Sequence, residues 1–290
     1  MLTDMKTLLK RAEEAKCAIP AFNVYNGETA LGIIRAAEEA NACVILQMYS
    51  RLFMSEEAEF ISPAILAAAQ RSKVKLCYHL DHGSCDEAVW RAVRFGCTSV
   101  MRDASALPLE ENMAVLKNVT HYAHDLGIDV EGELGHIGSA AEGVSQEYTD
   151  VKEAVRFVEE TNVDALAVMV GTAHGHYRQA PVIATDRIRE IAQATATPLV
   201  LHGGSGVPDD QMIQAVKAGI RKVNFGTDVC CALLDSIRQV DPKIIAVDVF
   251  MKEPVQAVKR FALEKIRLLG ADGSNGFGVA PNDWHRLLRL

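Results

Sequence analysis

Three histidines in this chain of 290 residues each follow a short apolar run: His82 in HLDHGS, His174 in GTAHGHY and His202 in LHGGSG. Neutral imidazoles that leave a fourth position open are the usual surroundings of a catalytic zinc ion. Acids stand beside them in the sequence, at Asp81, Asp103, Glu131 and Glu133. A lone histidine after a strand is more often a polar cap. Three in corresponding places, with carboxylates next to them, predict a metal centre above the packed layers of the fold. The other histidines read as structural: His121 and His124 on a surface helix, His79 in a strand wall, His285 in the tail, and His136 and His176 near the same end as the three.

A second constellation is HGGSG followed by NFGT. Gly203, Gly204 and Gly206 let backbone N–H groups approach an anion closely, Ser205 adds a hydroxyl, and a helix opens near Pro208. Asn224 and Thr227 come from the second segment. The matching chemistry of the two segments predicts a phosphate site.

These groups meet only if their strands end side by side. Candidate strands are Ala18–Val24, Cys43–Met48, Leu76–Leu80, Ser99–Met101, Asp129–Gly132, Ala165–Val170, Leu199–Leu201 and Lys222–Phe225. Helical patterns lie between them at Gly27–Ala40, Cys85–Phe95, Leu109–Leu126, Val151–Thr161, Ile183–Thr195 and Asp209–Ala218. The strands are continuous apolar runs without alternation, as in a parallel sheet buried on both faces. The expected fold is α/β: a single (β/α)8 TIM barrel over 1–270, with a C-terminal helical extension around Glu253–Leu269 and a tail at 271–290. The other doubly wound arrangement needs a Gly-rich turn after the first strand, and PAFNVYNGE has none. At the barrel mouth the strand ends deliver, in order, Asn23, Gln47, Asp81 with His82, Asp103 with Ser105, Glu131 with Glu133, His174 with His176, His202, and Asn224 with Thr227.

Composition narrows the classes. Hydrophobic residues make up 49% and charged residues 23%, with a formal charge of −8, so a large core is available and the basic surplus of a nucleic-acid binder is absent. The seven cysteines, at 17, 43, 77, 85, 97, 230 and 231, form no CxxC pair, which excludes a zinc ribbon and predicts reduced thiols in a cytoplasmic protein. The segment MLTDMKTLLKRAEEAKC reads as an amphipathic helix and not a signal peptide, and no apolar run is long enough for a membrane span.

PAFNV (20–24), HLDH (79–82), EGELGHIG (131–138), GTAHGHY (171–177), PLVLHGGSGVPDDQ (198–211) and KVNFGTD (222–228) together resemble the class II, zinc-dependent ketose-bisphosphate aldolases of the fructose and tagatose type. The resemblance implies a TIM barrel assembled as a homo-dimer or homo-tetramer. It implies Zn2+ on His82, His174 and His202, with Asp81 as general acid/base. Gly175, Gly203, Ser205, Asn224 and Thr227 would bind the dihydroxyacetone phosphate half, with Asn23, Gln47, Gly204 and Gly226 as further substrate-binding positions. Asp103 and Glu133 match a second metal position, and a monovalent cation (Na+ or K+) is implied near Gly175 and Gly203. The implied reaction is the reversible cleavage of a ketose 1-phosphate or 1,6-bisphosphate to dihydroxyacetone phosphate and an aldehyde through a metal-stabilised enediolate.

Retro-aldol cleavage needs an electron sink, either a metal or a lysine Schiff base. The strand-six end, GTAHG, has no lysine, and Lys73, Lys75 and Lys222 fall near strand starts, at the wrong face. The alternatives are a catalytically impaired, aldolase-like regulatory subunit, or a metal-dependent sugar-phosphate isomerase or epimerase using the same enediolate chemistry. The chain also departs from the family pattern. Tyr49 stands in QMYSRLF where a serine is expected, Arg102 replaces an aliphatic residue, and Ala140-Ala141 replace an acidic pair unless Glu142 shifts register. Gly226 fills the place of the Asp of fructose enzymes and the Ala of tagatose enzymes. These departures predict a substrate phosphorylated at C1 with a smaller or non-phosphorylated aldehyde portion.

Overall fold

The computed structural model describes residues 1–141 and 147–273. Glu142, His285 and the segment 284–290 therefore lie outside the described residues. Eight parallel strands close into a barrel in chain order: β1 Ile19–Asn23, β2 Val44–Tyr49, β3 Leu76–Gly83, β4 Ser99–Arg102, β5 Asp129–Leu134, β6 Ala165–Val168, β7 Leu199–Leu201 and β8 Ile220–Phe225, with β8 pairing back onto β1. Around them run α1 Met5–Ala15, α2 Gly27–Glu39, α3 Ser50–Phe53, α4 Glu57–Arg71, α5 Asp86–Arg94, α6 Leu109–Asp125, α7 Val151–Thr161, α8 Thr185–Ala194, α9 Asp209–Ala218, α10 Thr227–Gln239, α11 Val247–Phe250 and α12 Lys252–Leu268. The expected barrel with its C-terminal helix is what forms. Among the described residues, no helix is long and apolar enough to cross a membrane.

The strand interiors are buried on both faces, which is why they carry no polar alternation. Three strands run two or more residues beyond their apolar runs. β3 continues to Gly83 and β5 to Leu134 because their polar ends still pair with neighbours, and β8 begins at Ile220. Helix α4 escapes the apolar pattern because Pro63 lies inside it.

Two cores stabilise the barrel. Outside the sheet, the helices pack on Phe22, Leu46, Tyr78, Phe157, Phe225 and their neighbours. Inside, α1 closes the N-terminal end: Asp4 caps it through Thr7 N, and Met5, Leu8, Leu9 and Ala12 are buried against Ile19, Ile45, Cys77 and Val200. Each large side chain buried this way contributes about 1.5–3 kcal/mol. Helix α12 lies against α2 so closely that a Cβ on Gly32 would stand 2.8 Å from Val258 Cγ1 and 2.9 Å from the Val255 carbonyl oxygen. The C-terminal helix is thus part of the barrel wall.

The closed end of the barrel carries one titratable strain. Burial, followed by the charge of Asp164, pushes the Asp129 carboxyl up to about 6, although Lys6 N donates to its Oδ2 at 2.6 Å. A carboxyl raised on folding is penalised when ionised. The protein should therefore lose stability as pH rises from about 4 to 6, by an amount on the order of 2 kcal/mol from this group. Asp129→Asn should flatten the pH dependence of the melting temperature across that window and raise it at pH 7.5. An unchanged profile would show that the group is not penalised.

Candidate active site

Successive strand residues face opposite sides of a sheet, so Asp81 and His82 cannot both point into the mouth of a regular strand. Here they do, because the β3–β4 register shifts between Leu80 and Gly83 and His82 takes φ 48°. Such a backbone is uncommon for a non-glycine residue and costs of order 1–3 kcal/mol, which surrounding contacts must offset. Asp103 Oδ2 supplies one, hydrogen bonded to His82 Nδ1 at 2.8 Å. Asp103 Oδ1 accepts from Ser105 N at 3.1 Å and from Ser105 Oγ at 2.8 Å. His136 Nδ1 lies 3.0 Å from Ser105 Oγ.

His82, His174 and His202 converge, with ring centroids 4.7–5.8 Å apart. One nitrogen of each, His82 Nε2, His174 Nε2 and His202 Nδ1, is buried and makes no well-aligned hydrogen bond among the described residues, although His202 Nδ1 stands 3.1 Å from Glu133 Oε2. The three residues offer ligand atoms within 4.8 Å of one another, so they could hold a metal ion. Buried ring nitrogens aimed at one point, two of them without a close polar partner, would be costly unless an ion satisfied them. Burial, with His82 and His202 nearby, pushes His174 down to about 4, keeping it in the neutral form a metal requires.

His202 is not above the packed layers, as the sequence suggests, but fully buried within the barrel. Its Nε2 meets Glu131 Oε1 at 2.8 Å and its Nδ1 lies 3.1 Å from Glu133 Oε2. Burial opposes charge on this ring, but the two carboxylates outweigh it and lift His202 to about 10. Glu133 also accepts from Ile137 N at 3.0 Å. Asp103 and Glu133, the matched second-metal position, are thus each engaged on a histidine of the triad.

Asp81 is buried and held from two sides: Asn23 Nδ2 donates to Oδ2 at 2.7 Å, and Asn224 Nδ2 to Oδ1 at 3.3 Å. Behind them, Gln47 Nε2 donates to Asn23 Oδ1 at 2.9 Å and Lys222 Nζ to Asn224 Oδ1 at 2.8 Å. Although burial raises its pKa, the neighbouring His82 and His202 charges outweigh that and hold the Asp81 carboxyl below its ordinary value. Lys222 also pairs with Glu131 Oε2 at 2.8 Å. This corrects the placement of Lys222 at the wrong face: it points into the barrel beneath the site. The signal was available, since Lys222 and Asn224 are two apart in one strand and share its inward face. His79 belongs to the same interior layer, with Nδ1 2.8 Å from Ser99 Oγ. Burial and Lys222 push it down to about 3, so it is neutral.

One cavity is lined by Asn23, Asp81, Gly175, Gly203, Ser205, Asn224, Gly226 and Thr227, together with His174 and Tyr49. Of the expected substrate positions, two stand behind it. Gln47 acts through Asn23, and the Gly204 N–H is taken by the Asn224 carbonyl at 3.0 Å. Gly203 has φ 66°, and a Cβ there would stand 2.2 Å from the Ala173 carbonyl oxygen, so the strand-six and strand-seven loops can touch only at a glycine. Tyr177 Oη lies 2.8 Å from the carbonyl oxygens of both Ala173 and Gly203 and locks the two loops together. The loop after β5 also reaches the site, because Ala140 N donates to the His174 carbonyl at 2.8 Å and His174 N to the Gly138 carbonyl at 2.9 Å. Arg102 turns outward instead, with Nε 2.9 Å from Asp86 Oδ1.

Known proteins match this chain over most of its length. A family model described as fructose-bisphosphate aldolase class-II matches residues 3–274. The crystal structure of the YdjI aldolase from Escherichia coli K12 superposes with a TM-score of 0.87 at 36% identity, covering 95% of this chain and all of that one. A 6-phospho-5-dehydro-2-deoxy-D-gluconate aldolase of Halalkalibacterium halodurans is 37% identical over 244 residues, which is 82% of this chain and 85% of its own. A sulfofructosephosphate aldolase of Alkalicoccus urumqiensis is 34% identical over 275 residues, 92% of this chain and 96% of its own. The chain is an aldolase and belongs to the class II fructose-bisphosphate aldolase family.

Proposed function

We propose that this protein is a zinc-dependent aldolase that cleaves a ketose carrying phosphate at C1 and a different group at the distal end, releasing dihydroxyacetone phosphate and an aldehyde. The observation that carries the reading is the convergence of three imidazole nitrogens within 4.8 Å of one another, beside a carboxylate held by two amides. His82, His174 and His202 would hold the ion, which supplies positive charge where the ketone half gains electrons.

The chain's own groups do the rest. Asp81 Oδ takes the proton of the C4 hydroxyl as the C3–C4 bond breaks and its electron pair passes to the ketone half, which gains a proton at C3 from water before dihydroxyacetone phosphate leaves; condensation reverses both transfers. Asn23 and Asn224 keep that carboxylate aimed and ionised. Gly175, Gly203, Ser205 and Thr227 supply short, uncharged donors suited to the phosphate of the ketone half. Glu131, on Nε2, orients His202 so that its Nδ1 faces the ion, and Asp103, on Nδ1, orients His82.

The distal end is read from two facts. Neither Ala140, which is buried, nor Ala141 supplies a charged group. The two named relatives act on compounds with one phosphate and a different anionic end, a gluconate and a sulfo sugar. The free cysteines support a cytoplasmic setting. Exposed apolar side chains at Ile245 and Val247 support assembly as a homo-dimer or homo-tetramer. The test is kcat/KM for fructose 1,6-bisphosphate and tagatose 1,6-bisphosphate against ketose 1-phosphates with hydroxyl, carboxylate or sulfonate at the far end. A single-phosphate substrate should be preferred. A bisphosphate preferred by more than about tenfold, or 1.4 kcal/mol in transition-state binding, refutes the reading.

A further inference from the structure

Tyr49 is the last residue of β2 and the register partner of Asp81 in β3. Its ring stacks on His82, with centroids 6.4 Å apart and planes 25° from parallel. The Arg51 guanidinium carbon lies 4.6 Å from its centroid, and the Tyr25 ring lies 6.2 Å away. The phenol is therefore fixed on several sides, and it lines the same cavity as Asp81.

Gly226 lines that cavity from the far side of Asn23. Its φ of −111° is open to any residue, so glycine is present for space rather than conformation. A Cβ at 226 would stand 2.8 Å from the Tyr49 hydroxyl oxygen and 3.0 Å from Asn23 Oδ1. The tyrosine hydroxyl fills what a side chain at 226 would otherwise occupy.

We infer that Tyr49 and Gly226 are one specificity element, in which the Tyr49 hydroxyl donates to a hydroxyl oxygen of the departing aldehyde fragment. The inference rests on the proposed cleavage reaction. The uncharged donors suited to phosphate come from the loops after β6, β7 and β8. Tyr49 comes from β2, beside the carboxylate that handles the hydroxyl on the released carbon. A phenol offers one hydrogen bond and no charge. It matches a neutral hydroxyl rather than a phosphate dianion, whose desolvation needs several charged donors. Tyr49 is thus a specificity residue, and Gly226 is the space that admits it.

The test uses the full metal-loaded chain and two readouts that need different halves of the substrate. Exchange of the hydroxymethyl-carbon proton of dihydroxyacetone phosphate into deuterated water, followed by NMR, needs only the ketone half. Condensation of dihydroxyacetone phosphate with glyceraldehyde, or with the hydroxyl-free propionaldehyde, needs both. Tyr49→Phe should split them: condensation with glyceraldehyde should fall by roughly tenfold or more, condensation with propionaldehyde by less than about threefold, and exchange by less than about twofold. Gly226→Ala alone should lower condensation with glyceraldehyde, and adding it to Tyr49→Phe should cost less than the product of the two single effects, because both disturb one contact. Thermal melts and metal content show that each variant is folded and loaded.

Equal losses of exchange and condensation place Tyr49 on the ketone half and overturn the inference. Equal losses with both aldehydes show that no hydroxyl is read, and independent single effects show that the two residues are not a unit. Wild-type protein that exchanges the proton but condenses with neither aldehyde also overturns it. Wild-type protein that does neither refutes the proposed reaction itself.

Discussion

Asp81→Asn is expected to lower cleavage by roughly 10²–10⁴-fold, the usual contribution of a positioned acid/base, while metal content stays near that of the wild type. The substitution is nearly isosteric and keeps an acceptor for Asn23 Nδ2, which donates to Asp81 at 2.7 Å. It removes the negative charge and the ability to take a proton. Asp81 Oδ1 is 3.9 Å from His82 Nε2, close enough to influence an ion there but not itself one of the three converging nitrogens. Metal analysis by mass spectrometry and initial rates on the same preparation decide the matter. If metal and activity fall together, Asp81 holds the ion or the fold around it, and the proton-transfer role is wrong.

His174→Ala is expected to remove most of the bound metal and lower turnover by roughly 10³-fold, with a small change in melting temperature. Among the triad it is the cleanest probe. Among the described residues its Nε2 is without a hydrogen-bond partner and no carboxylate pairs with it. His202→Ala should also strip the metal but destabilise the protein in addition, because it leaves Glu131 and Glu133 buried with one partner fewer. Breaking a buried charged pair costs about 3–5 kcal/mol. A chelator should abolish wild-type activity and added Zn2+ restore it. His174→Ala with full metal content and full turnover would end the assignment of the triad. A variant that loses turnover only because it unfolds would show itself in the melt.

The barrel was legible because its causes are local. Each strand is a run of apolar residues buried on both faces, and each run is separated from the next by a helical period, as at Leu199–Leu201 followed by Asp209–Ala218. The predicted boundaries fell short where polar residues continue a strand into the site, as in β3 and β5, because hydrophobic pattern cannot see a strand end made of Asp81, His82 and Glu133. The site residues were legible for a related reason. A parallel barrel brings all its strand ends to one mouth, so the residue types after each run name what the mouth contains.

What the chain's own order of residues determined was the fold class and the candidates, three histidines for a metal and the glycine-rich loops for a phosphate. Tertiary structure decided the aim of each group. Whether His82 faces the mouth depends on a register shift between β3 and β4, and register is a relation between strands that neither strand carries alone. The burial of His202 between two carboxylates, and the reach of Lys222 from the barrel interior to Asn224, depend on which layers of neighbouring strands lie level. The pairing of Tyr49 with Gly226 joins residues 177 positions apart, and only the closure of β8 onto β1 brings them within contact. Local propensity acts over a few residues, whereas the distances that set proton transfer and substrate choice are fixed by packing across the barrel.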